Sequence, residues 1–411
     1  MTLGRRAPMR LVLASAALLW GVPIMAETPP SAADRLAHDQ MLVLDTHLDT
    51  PALLEREGWR FGDYHQYEWD GSQVDLPRME AGGLDGGFFA IYTESGPLTP
   101  AGYAAARDHA LKRAAAIQRL VAAYPDKLAF ATTADDAARI AASGKRAIYQ
   151  SIENSYPLGT DVTLLETFHA LGVRMAGPVH FKTNQFADSS TDKPRWHGLS
   201  KLGRQWVTEM NRLGMIIDAS HASDDVFDQL LTLSKTPIIL SHSGPKAIFD
   251  HPRNIDDARM RKLAAAGGVM QIYSVHLLPS DNPPGAEEVY KRQEEWGTMT
   301  PAERRQLIAD KAAVDARAKP PATFDMFMAS LLHAIQVMGV DHVGIGNDWD
   351  GGGGVAGMED ITGLPKVTAR LRQAGYSDAD IEKIWSGNVL RLLREVEDYA
   401  ASLKSTEPPP K

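Results

Sequence analysis

Six short apolar stretches of this chain run into histidines or acidic residues, which are the side chains that bind metals and move protons. The stretches are LVLDTHLD, AIYQSIE, MAGPVH, MIIDASH, PIILSH and HVGIGND. The residues at their ends are His47 with Asp49, Glu153, His180, His221, His242 and Asp348. Nitrogen and oxygen ligands without sulfur suit zinc and related divalent cations. The series predicts a metal-dependent hydrolase, provided that one fold brings these ends together.

The first acidic and histidine side chains have the spacing of a shared site. His47 and Asp49 are two residues apart, so they point to the same side of an extended chain and can reach one ion. Glu153 follows a strongly apolar run, where a carboxylate must be paired or coordinated because an isolated buried charge is very unfavourable. Between two cations it can give one oxygen to each. A structural His–Asp pair and a salt bridge of Glu153 to Lys or Arg are the alternatives.

His221 and His242 lie twenty-one residues apart, and each follows a serine, Ser220 or Ser241. This separation matches one strand–helix–strand step, and adjacent parallel strands would place the two imidazoles side by side. Two buried histidines with structural hydrogen bonds are the alternative interpretation.

Eight apolar runs are predicted to be the strands that position these residues. They are Met41–Asp45, Gly87–Tyr92, Arg146–Ile152, Arg174–Val179, Met215–Asp218, Pro237–Leu240, Gly268–Ile272 and His342–Gly346. Most lack alternation, which favours strands buried on both faces, and helical patterns fall between them. This is the pattern of a (β/α)8 TIM-type barrel, in which the C-terminal strand ends converge on one pocket. A doubly wound open sheet is the alternative, and no glycine-rich dinucleotide fingerprint supports it.

Two segments are longer than plain barrel loops: residues 59–79 after strand 1 and residues 278–322 after strand 7. Both lie on the rim that carries the candidate site, and the second has a middle of helical composition. Helices Asp378–Trp385 and Asn388–Leu403 are expected to complete the outer ring of the barrel. Residues 27–403 are therefore predicted to form a single domain.

The two ends of the chain have separate predicted roles. Residues 1–26 have a basic start, an apolar run and a small residue for cleavage, which predicts a secretory signal peptide and a periplasmic location. A membrane anchor is the alternative, but Gly21 and Pro23 interrupt the apolar run. Residues 404–411 read as a disordered tail. The chain has 411 residues, no cysteine and a formal net charge of −9. It therefore has no thiolate ligands, and this charge does not favour nucleic acid or an anionic membrane as a partner.

Together these motifs resemble the membrane (renal) dipeptidases, zinc peptidases with an amidohydrolase-like barrel. The resemblance runs from about Met41 to Ala400 and is specific because the motifs occur in this order. The matching stretches are Asp45 to Asp49, Glu153-Asn154, His180 with Asn184, Ala187 to Ser190, Ile217 to Ser223, Ser241 to Ser243, Arg253 to Ile255 with Asp257, and Gly344 to Gly351.

The resemblance implies two zinc ions per subunit. One ion would be held by His47, Asp49 and Glu153, and the other by Glu153, His221 and His242, so that Glu153 bridges them. A water or hydroxide between the ions would be the nucleophile.

The resemblance also implies three roles around the metals. His180 would position the substrate and stabilise the oxyanion, and Arg253 would bind the terminal carboxylate of the substrate. Asp348 would be the general acid–base, with Asp350 competing for that role because extended geometry places both on one side.

The implied activity is hydrolysis of the amide bond of dipeptides, including those with a C-terminal D-residue, by a homodimer. The near alternative is a related barrel amidohydrolase acting on β-lactams, lactones or other cyclic amides. The alternative from another class is a non-catalytic periplasmic binding protein, which the complete set of expected ligands argues against.

Overall fold

The fold is described by a computed structural model that covers residues 29–279, 284–293, 299–317 and 322–405. The predicted signal peptide lies outside these ranges. Nine strands lie within them. They are β1 (Leu44–Leu48), β2 (Gly86–Ile91), β3 (Leu128–Phe130), β4 (Arg146–Ile152), β5 (Val173–Ala176), β6 (Ile216–Ile217), β7 (Ile239–Ser243), β8 (Val269–Ile272) and β9 (Val343–Ile345).

Eight of the strands form a closed parallel barrel. Parallel pairing joins β1, β2, β4, β5 and β6 in one run and β7, β8 and β9 in another. A parallel bridge between Asp218 and Ile239 connects the two runs, and a second bridge between Leu48 and Trp349 closes the circle. The backbone N–H groups of Ala219 and Asp49 donate to Ile239 and Trp349 across these junctions, each at 2.8 Å. The predicted TIM-type barrel is therefore confirmed.

The eight predicted strands are all present. The bounds of β4 agree with the prediction and the other seven have shorter or shifted ends, but a ninth strand, β3, was missed. Strand β3 pairs with residues 146–148 of β4, and β5 pairs with residues 150–152 of the same strand. The short strand thus lies beside the first half of β4, outside the barrel circle. With three residues, β3 is too short for its apolar pattern to separate it from a loop.

Fifteen α-helices lie in the described residues. They are α1 (Ala32–Asp39), α2 (Tyr67–Asp70), α3 (Leu76–Gly82), α4 (Pro100–Ala123), α5 (Asp136–Ala141), α6 (Leu164–Ala170), α7 (Lys201–Leu213), α8 (Asp224–Leu233), α9 (Asp257–Ala265), α10 (Ala286–Gln293), α11 (Pro301–Arg317), α12 (Phe324–Met338), α13 (Leu364–Gln373), α14 (Asp378–Glu382) and α15 (Asn388–Ser405). Within the described ranges, no helix is both long enough and apolar enough to cross a bilayer.

The two long rim segments are partly helical and contact each other. Residues 59–79 contain α2 and the beginning of α3, and the insertion after β8 contains α10 and α11, in agreement with its helical composition. Helix α11 packs against α2. Helix α15 continues to Ser405, two residues beyond the predicted end of the domain, and the rest of the tail lies outside the described residues.

Helix α15 covers the N-terminal end of the barrel, so its predicted place in the outer ring is wrong. Glu397 accepts a hydrogen bond from Ala134 N at 3.1 Å, and Arg391 donates to Gly267 O at 3.0 Å. Ala134 lies in the loop between β3 and α5, and Gly267 lies in the loop before β8, on different sides of the barrel. The apolar stripe of α15 joins the cluster formed by the strand residues there. With this end covered, the C-terminal end is the face that remains for a site.

A buried histidine links the helices beside β1. His38 is 0 % exposed, and its Nε2 lies 2.9 Å from Gly82 O, which can only accept. Nε2 therefore carries the proton, and Nδ1 accepts from Thr368 Oγ1 at 2.7 Å. Thr368 Oγ1 in turn accepts from Trp385 Nε1 at 2.9 Å. Burial lowers the pKa of His38 to about 4, so the folded protein holds this ring neutral.

We expect this ring to make the fold less stable in acid. Between the ordinary pKa of histidine, about 6.5, and its folded value, the unfolded chain binds a proton that the folded chain refuses, so the free energy of unfolding falls as pH falls. The loss attributable to His38 is at most about 3 kcal/mol. His38→Gln, which keeps a donor for Gly82, should show a smaller drop in the urea midpoint between about pH 7.5 and pH 5. An equal drop in variant and wild type would contradict this.

Candidate metal centre

The predicted ligands gather at the C-terminal rim of the barrel. His47 and His242 lie inside β1 and β7, while Asp49 and Glu153 directly follow β1 and β4. The other three lie on loops, three or four residues beyond the ends of β5, β6 and β9. These residues are His180, His221 and Asp348. The strands thus determine the positions of four of the side chains, and the loops determine the positions of the remaining three.

Glu153 is the centre of the cluster. Its Oε2 atom lies 3.7 Å from His47 Nε2, whereas its Oε1 atom lies 3.1 Å from His221 Nε2 and 3.6 Å from His242 Nε2. The side chain is 6 % exposed. One carboxylate thus presents its two oxygens to imidazoles on two sides, as a bridging ligand must.

The imidazole nitrogens converge, and those of His47 have no hydrogen-bond partner among the described residues. The Nε2 atoms of His221 and His242 are 2.8 Å apart, which confirms the expected neighbouring positions. Neither ring nitrogen of His47 finds a hydrogen-bond partner among the described residues, although both are buried. Nε2 of His47 lies 3.3 Å from Asp49 Oδ2, close enough for an ion pair but without the geometry of a hydrogen bond. A buried imidazole nitrogen held beside carboxylates in this way fits a site for a shared cation.

Three overlapping groups of side chains have ligand atoms within 4.8 Å of one another. They are His47 with Glu153 and His242, Glu153 with His180 and His221, and His47 with Asp49 and Asp348. These nitrogen and oxygen donors fit divalent cations such as zinc. His180 lies 3.4 Å from Glu153 Oε1, as close as several predicted ligands.

Burial and neighbouring charges set the protonation of the centre. Burial lowers the pKa values of His221 and His242 well below the usual range, and the cation of Arg253 lowers both further. Burial alone would lower the pKa of His47 too, but the carboxylates of Glu153 and Asp49 outweigh it and raise that pKa. Neutral His221 and His242 keep lone pairs available for a cation.

Asp348 is also affected by burial, which removes water from its carboxyl group. Burial raises the pKa of this carboxyl well above the usual range, and the nearby Asp49 and Glu153 add to the increase against the opposing effect of His47. Its Oδ1 lies 4.0 Å from His47 Nε2, and its side chain is 15 % exposed. A carboxyl that lies beside the centre and still reaches solvent is suited to proton transfer.

The chain turns sharply at Asp348. Both Asp348 and Asp350 have positive φ values, 64° and 65°, so the extended geometry expected there is wrong. Asp350 instead accepts from Thr50 Oγ1 at 2.7 Å and from Gln73 N at 2.6 Å, away from the metal-binding groups. A Cβ atom on Gly351 would collide with the carboxylates of Asp49 and Asp348. The glycine therefore permits the close approach of the loop.

Arg253 is a buried cation beside the centre. Its side chain donates to His242 O at 2.9 Å and lies over the ring of Tyr273, with 5.5 Å between the guanidinium carbon and the ring centroid. Arg253 is 5 % exposed, and no described carboxylate lies within ion-pair distance of it. A buried charge needs a counter-charge, so this position suits an anionic group of a ligand.

Two aromatic residues at the rim were not predicted. The Tyr92 ring is 4.9 Å from the His180 ring, and the Phe181 ring is 4.1 Å from it on another side. Phe181 is 45 % exposed. Tyr92 directly follows β2, so inspecting every strand end for aromatic residues, and not only for histidines and acids, would have found it.

Comparison with known proteins identifies the same family that the sequence motifs resemble. The model of the membrane dipeptidase family, peptidase family M19, matches residues 32–407. Dipeptidase tcpJ of Claviceps purpurea is 34 % identical over 342 residues, which are 82 % of this chain and 72 % of the relative. Dipeptidase 3 of Rattus norvegicus is 29 % identical over 86 % of this chain and 65 % of its own length.

Two solved structures have the same fold. The probable dipeptidase PvdM from Pseudomonas aeruginosa matches with a TM-score of 0.77 and 32 % identity, over 89 % of this chain and 98 % of that one. A metallo peptidase from Rhodobacter sphaeroides, liganded with a phosphinate mimic of the dipeptide L-Ala-D-Ala, matches with a TM-score of 0.69 and 26 % identity, over 87 % and 99 %. This chain belongs to the membrane dipeptidase family of metallopeptidases, family M19.

Proposed function

We propose that this metallo dipeptidase is a dinuclear zinc enzyme that cleaves dipeptides, including those with a C-terminal D-residue. The observation that carries the proposal is Glu153, whose two carboxylate oxygens face imidazoles on two sides. His47 and Asp49 would complete one metal site, and His221 and His242 the other. The chemistry that the cations supply when bound is Lewis acidity, which acidifies water and polarises a carbonyl group.

Asp348 would move the proton in this reaction. Its carboxylate takes a proton from the attacking water as the water oxygen bonds to the scissile carbonyl carbon. The same proton then passes to the amine nitrogen as the C–N bond breaks, so one residue acts first as base and then as acid. His180 lies beside Glu153 and would donate its ring N–H to the developing oxyanion.

Arg253 would select substrates with a free terminal carboxylate. Its burial beside His242, without a carboxylate of the described chain, supports an anionic ligand at this position. The phosphinate mimic of L-Ala-D-Ala in the Rhodobacter sphaeroides relative supports a dipeptide, and a D-residue at its C-terminal position.

A dipeptide panel tests the proposed activity. Protein stripped with a chelator and reloaded with zinc should regain cleavage of L-Ala-D-Ala and L-Ala-L-Ala. Amidation of the C-terminal carboxylate should remove most of the turnover. Zinc-loaded protein that cleaves no dipeptide would contradict the proposal, and cleavage of β-lactams or lactones alone would favour the alternative amidohydrolase.

Replacement of Arg253 by methionine should weaken recognition of the carboxylate. A hydrogen bond to a charged group contributes about 1.5–3 kcal/mol, so kcat/KM for L-Ala-D-Ala should fall about 10- to 100-fold, mainly through KM. The matched substrate control is L-Ala-D-Ala amide, which lacks the charge and should be affected far less. Equal losses for both substrates would assign Arg253 a structural role, and metal content should be measured because the side chain also donates to His242 O.

Export and assembly are further parts of the proposal. The basic and apolar composition of residues 1–26 supports a cleaved signal and a periplasmic enzyme. Cell fractionation with mass spectrometry of the mature N-terminus tests this, and an uncleaved cytoplasmic protein would contradict it. The resemblance to the family supports a homodimer, which light scattering tests.

A further inference from the structure

Three buried side chains, Asp218, Ser241 and His242, form a hydrogen-bonded series that ends at Nδ1 of His242, on the opposite side of the ring from the candidate metal centre. Asp218 Oδ2 accepts a hydrogen bond from Ser241 Oγ at 2.5 Å, and Ser241 Oγ lies 2.8 Å from His242 Nδ1. Asp218, Ser241 and His242 are 3 %, 0 % and 1 % exposed. Solvent therefore does not compete for these hydrogen bonds, which makes them strong determinants of side-chain orientation.

The hydrogen-bond partners of Asp218 determine which atoms donate and which accept in this series. Its Oδ1 atom accepts from the backbone N–H groups of Ser220 and Ser241, both at 2.9 Å. All its partners are donors, so Asp218 acts purely as an acceptor. The hydroxyl hydrogen of Ser241 points to Asp218, and Ser241 Oγ must then accept from His242 Nδ1–H. A neutral imidazole has one N–H, so Nε2 of His242 carries no proton and can act only through its lone pair.

That lone pair lies on the side of the candidate centre. Nε2 of His242 is 3.6 Å from Glu153 Oε1 and 2.8 Å from His221 Nε2. His221 has no comparable support, because its Nδ1 finds no partner among the described residues. The backbone of His242 is also held, since its N–H donates to Ser220 Oγ at 3.2 Å.

We propose that Asp218 and Ser241 are positioning residues that hold His242 with Nδ1 protonated and Nε2 directed at the metal centre. The inference rests on the proposed dinuclear function. Hydrogen bonds of this kind orient a ligand and fix its tautomer, and their loss typically weakens metal affinity about 10- to 100-fold. Asp218 follows β6 and Ser241 lies in β7, so the same carboxylate also ties together the two chain segments that carry His221 and His242.

Two substitutions should weaken metal binding to different extents. In Asp218→Asn the new amide can donate to Ser241 Oγ, which turns the serine hydroxyl toward His242 Nδ1 and places the ring proton on Nε2. Ser241→Ala only removes the constraint. We expect Asp218→Asn to weaken one of two zinc-binding steps by about 100-fold and Ser241→Ala by about tenfold.

Zinc titration of the chelator-stripped full-length protein, in competition with a chromogenic chelator, measures both binding steps. Visible spectra of the Co²⁺-loaded proteins report whether one coordination sphere has changed. The matched control is Ser330→Ala, a buried serine of α12 whose hydroxyl has no partner among the described residues. We expect its metal affinities and spectrum to equal those of wild type.

The outcomes separate this inference from the proposed function. Wild-type protein that binds fewer than two zinc ions would overturn the dinuclear centre itself. Wild type with two binding steps, but variants within twofold of it and with unchanged Co²⁺ spectra, would overturn only the role of Asp218 and Ser241. If Asp218→Asn does not fold, Ser241→Ala alone decides between these results.

Discussion

Replacing Asp348 by asparagine is expected to lower kcat by about 10²- to 10⁴-fold, the range in which a positioned acid–base contributes. Asparagine has the same shape but cannot take up the water proton or deliver it to the leaving amine. KM and zinc content should change little, because the proposed ligands remain. Steady-state kinetics with L-Ala-D-Ala and metal analysis of the same preparation measure the three quantities.

Asp350 provides a matched control two residues further along the same loop. It is bonded to Thr50 and Gln73 instead of facing His47, so Asp350→Asn should affect the thermal midpoint more than kcat. Turnover by Asp348→Asn within tenfold of wild type would remove Asp348 from the mechanism. A larger loss in Asp350→Asn than in Asp348→Asn would exchange the roles of the two residues.

Replacing Glu153 by glutamine is expected to remove most activity together with metal. The amide group keeps one oxygen but turns an N–H donor toward imidazole nitrogens, and the negative charge between them is lost. Zinc content should fall from two ions to one or none, and kcat should fall by about a thousandfold or more, since metal activation contributes several kcal/mol. Mass-spectrometric metal analysis and dipeptide kinetics provide the measurement.

Glu94 is the control for this change. It is a carboxylate near the same rim, but its side chain is 62 % exposed and lies 3.4 Å from Lys182 Nζ. Glu94→Gln should keep both metals and near wild-type kcat. A Glu153→Gln protein that retains two tightly bound zinc ions would show that the carboxylate does not bridge them.

The arrangement of the barrel was predictable because histidines and acidic residues occur at the ends of the apolar runs in the sequence. Asp45 to Asp49 and Ile239 to Ser243 show this most clearly, since their ligands lie within or directly after a strand. Burial on both faces produces continuous apolar runs, and parallel strands place all their C-terminal ends on one rim. The local sequence pattern and the barrel fold therefore both place these ligands at the C-terminal rim.

The turns that aim the loop residues were not predictable from this pattern. His221 and Asp348 both have φ values of 64°, a conformation that is uncommon for non-glycine residues, although Asp and His adopt it more often than most. Strand periodicity therefore failed for Asp350, whose orientation follows from its hydrogen bonds to Thr50 and Gln73. Such contacts join residues about 280–300 positions apart and leave no local signal in the sequence.

The position of α15 was also beyond local reasoning. Its amphipathic stripe predicts a packed helix but does not say which surface it covers. The hydrogen bonds of Arg391 and Glu397 to loops on different sides of the barrel decide that it closes the N-terminal end. The hydrogen bonds around Ser220 and Ser241 were not predictable either. Their repeated Ser-His context is visible in the sequence, but the contacts that Asp218 makes with them are known only from the fold.

The central claim is that Glu153 lies between two metal ions, and anomalous diffraction from crystals of the zinc-loaded protein tests it most directly. We predict two anomalous peaks about 3.5–4 Å apart, one on the His47 side of the carboxylate and one on the side of His221 and His242. A single peak, or two peaks that do not share Glu153, would contradict the claim.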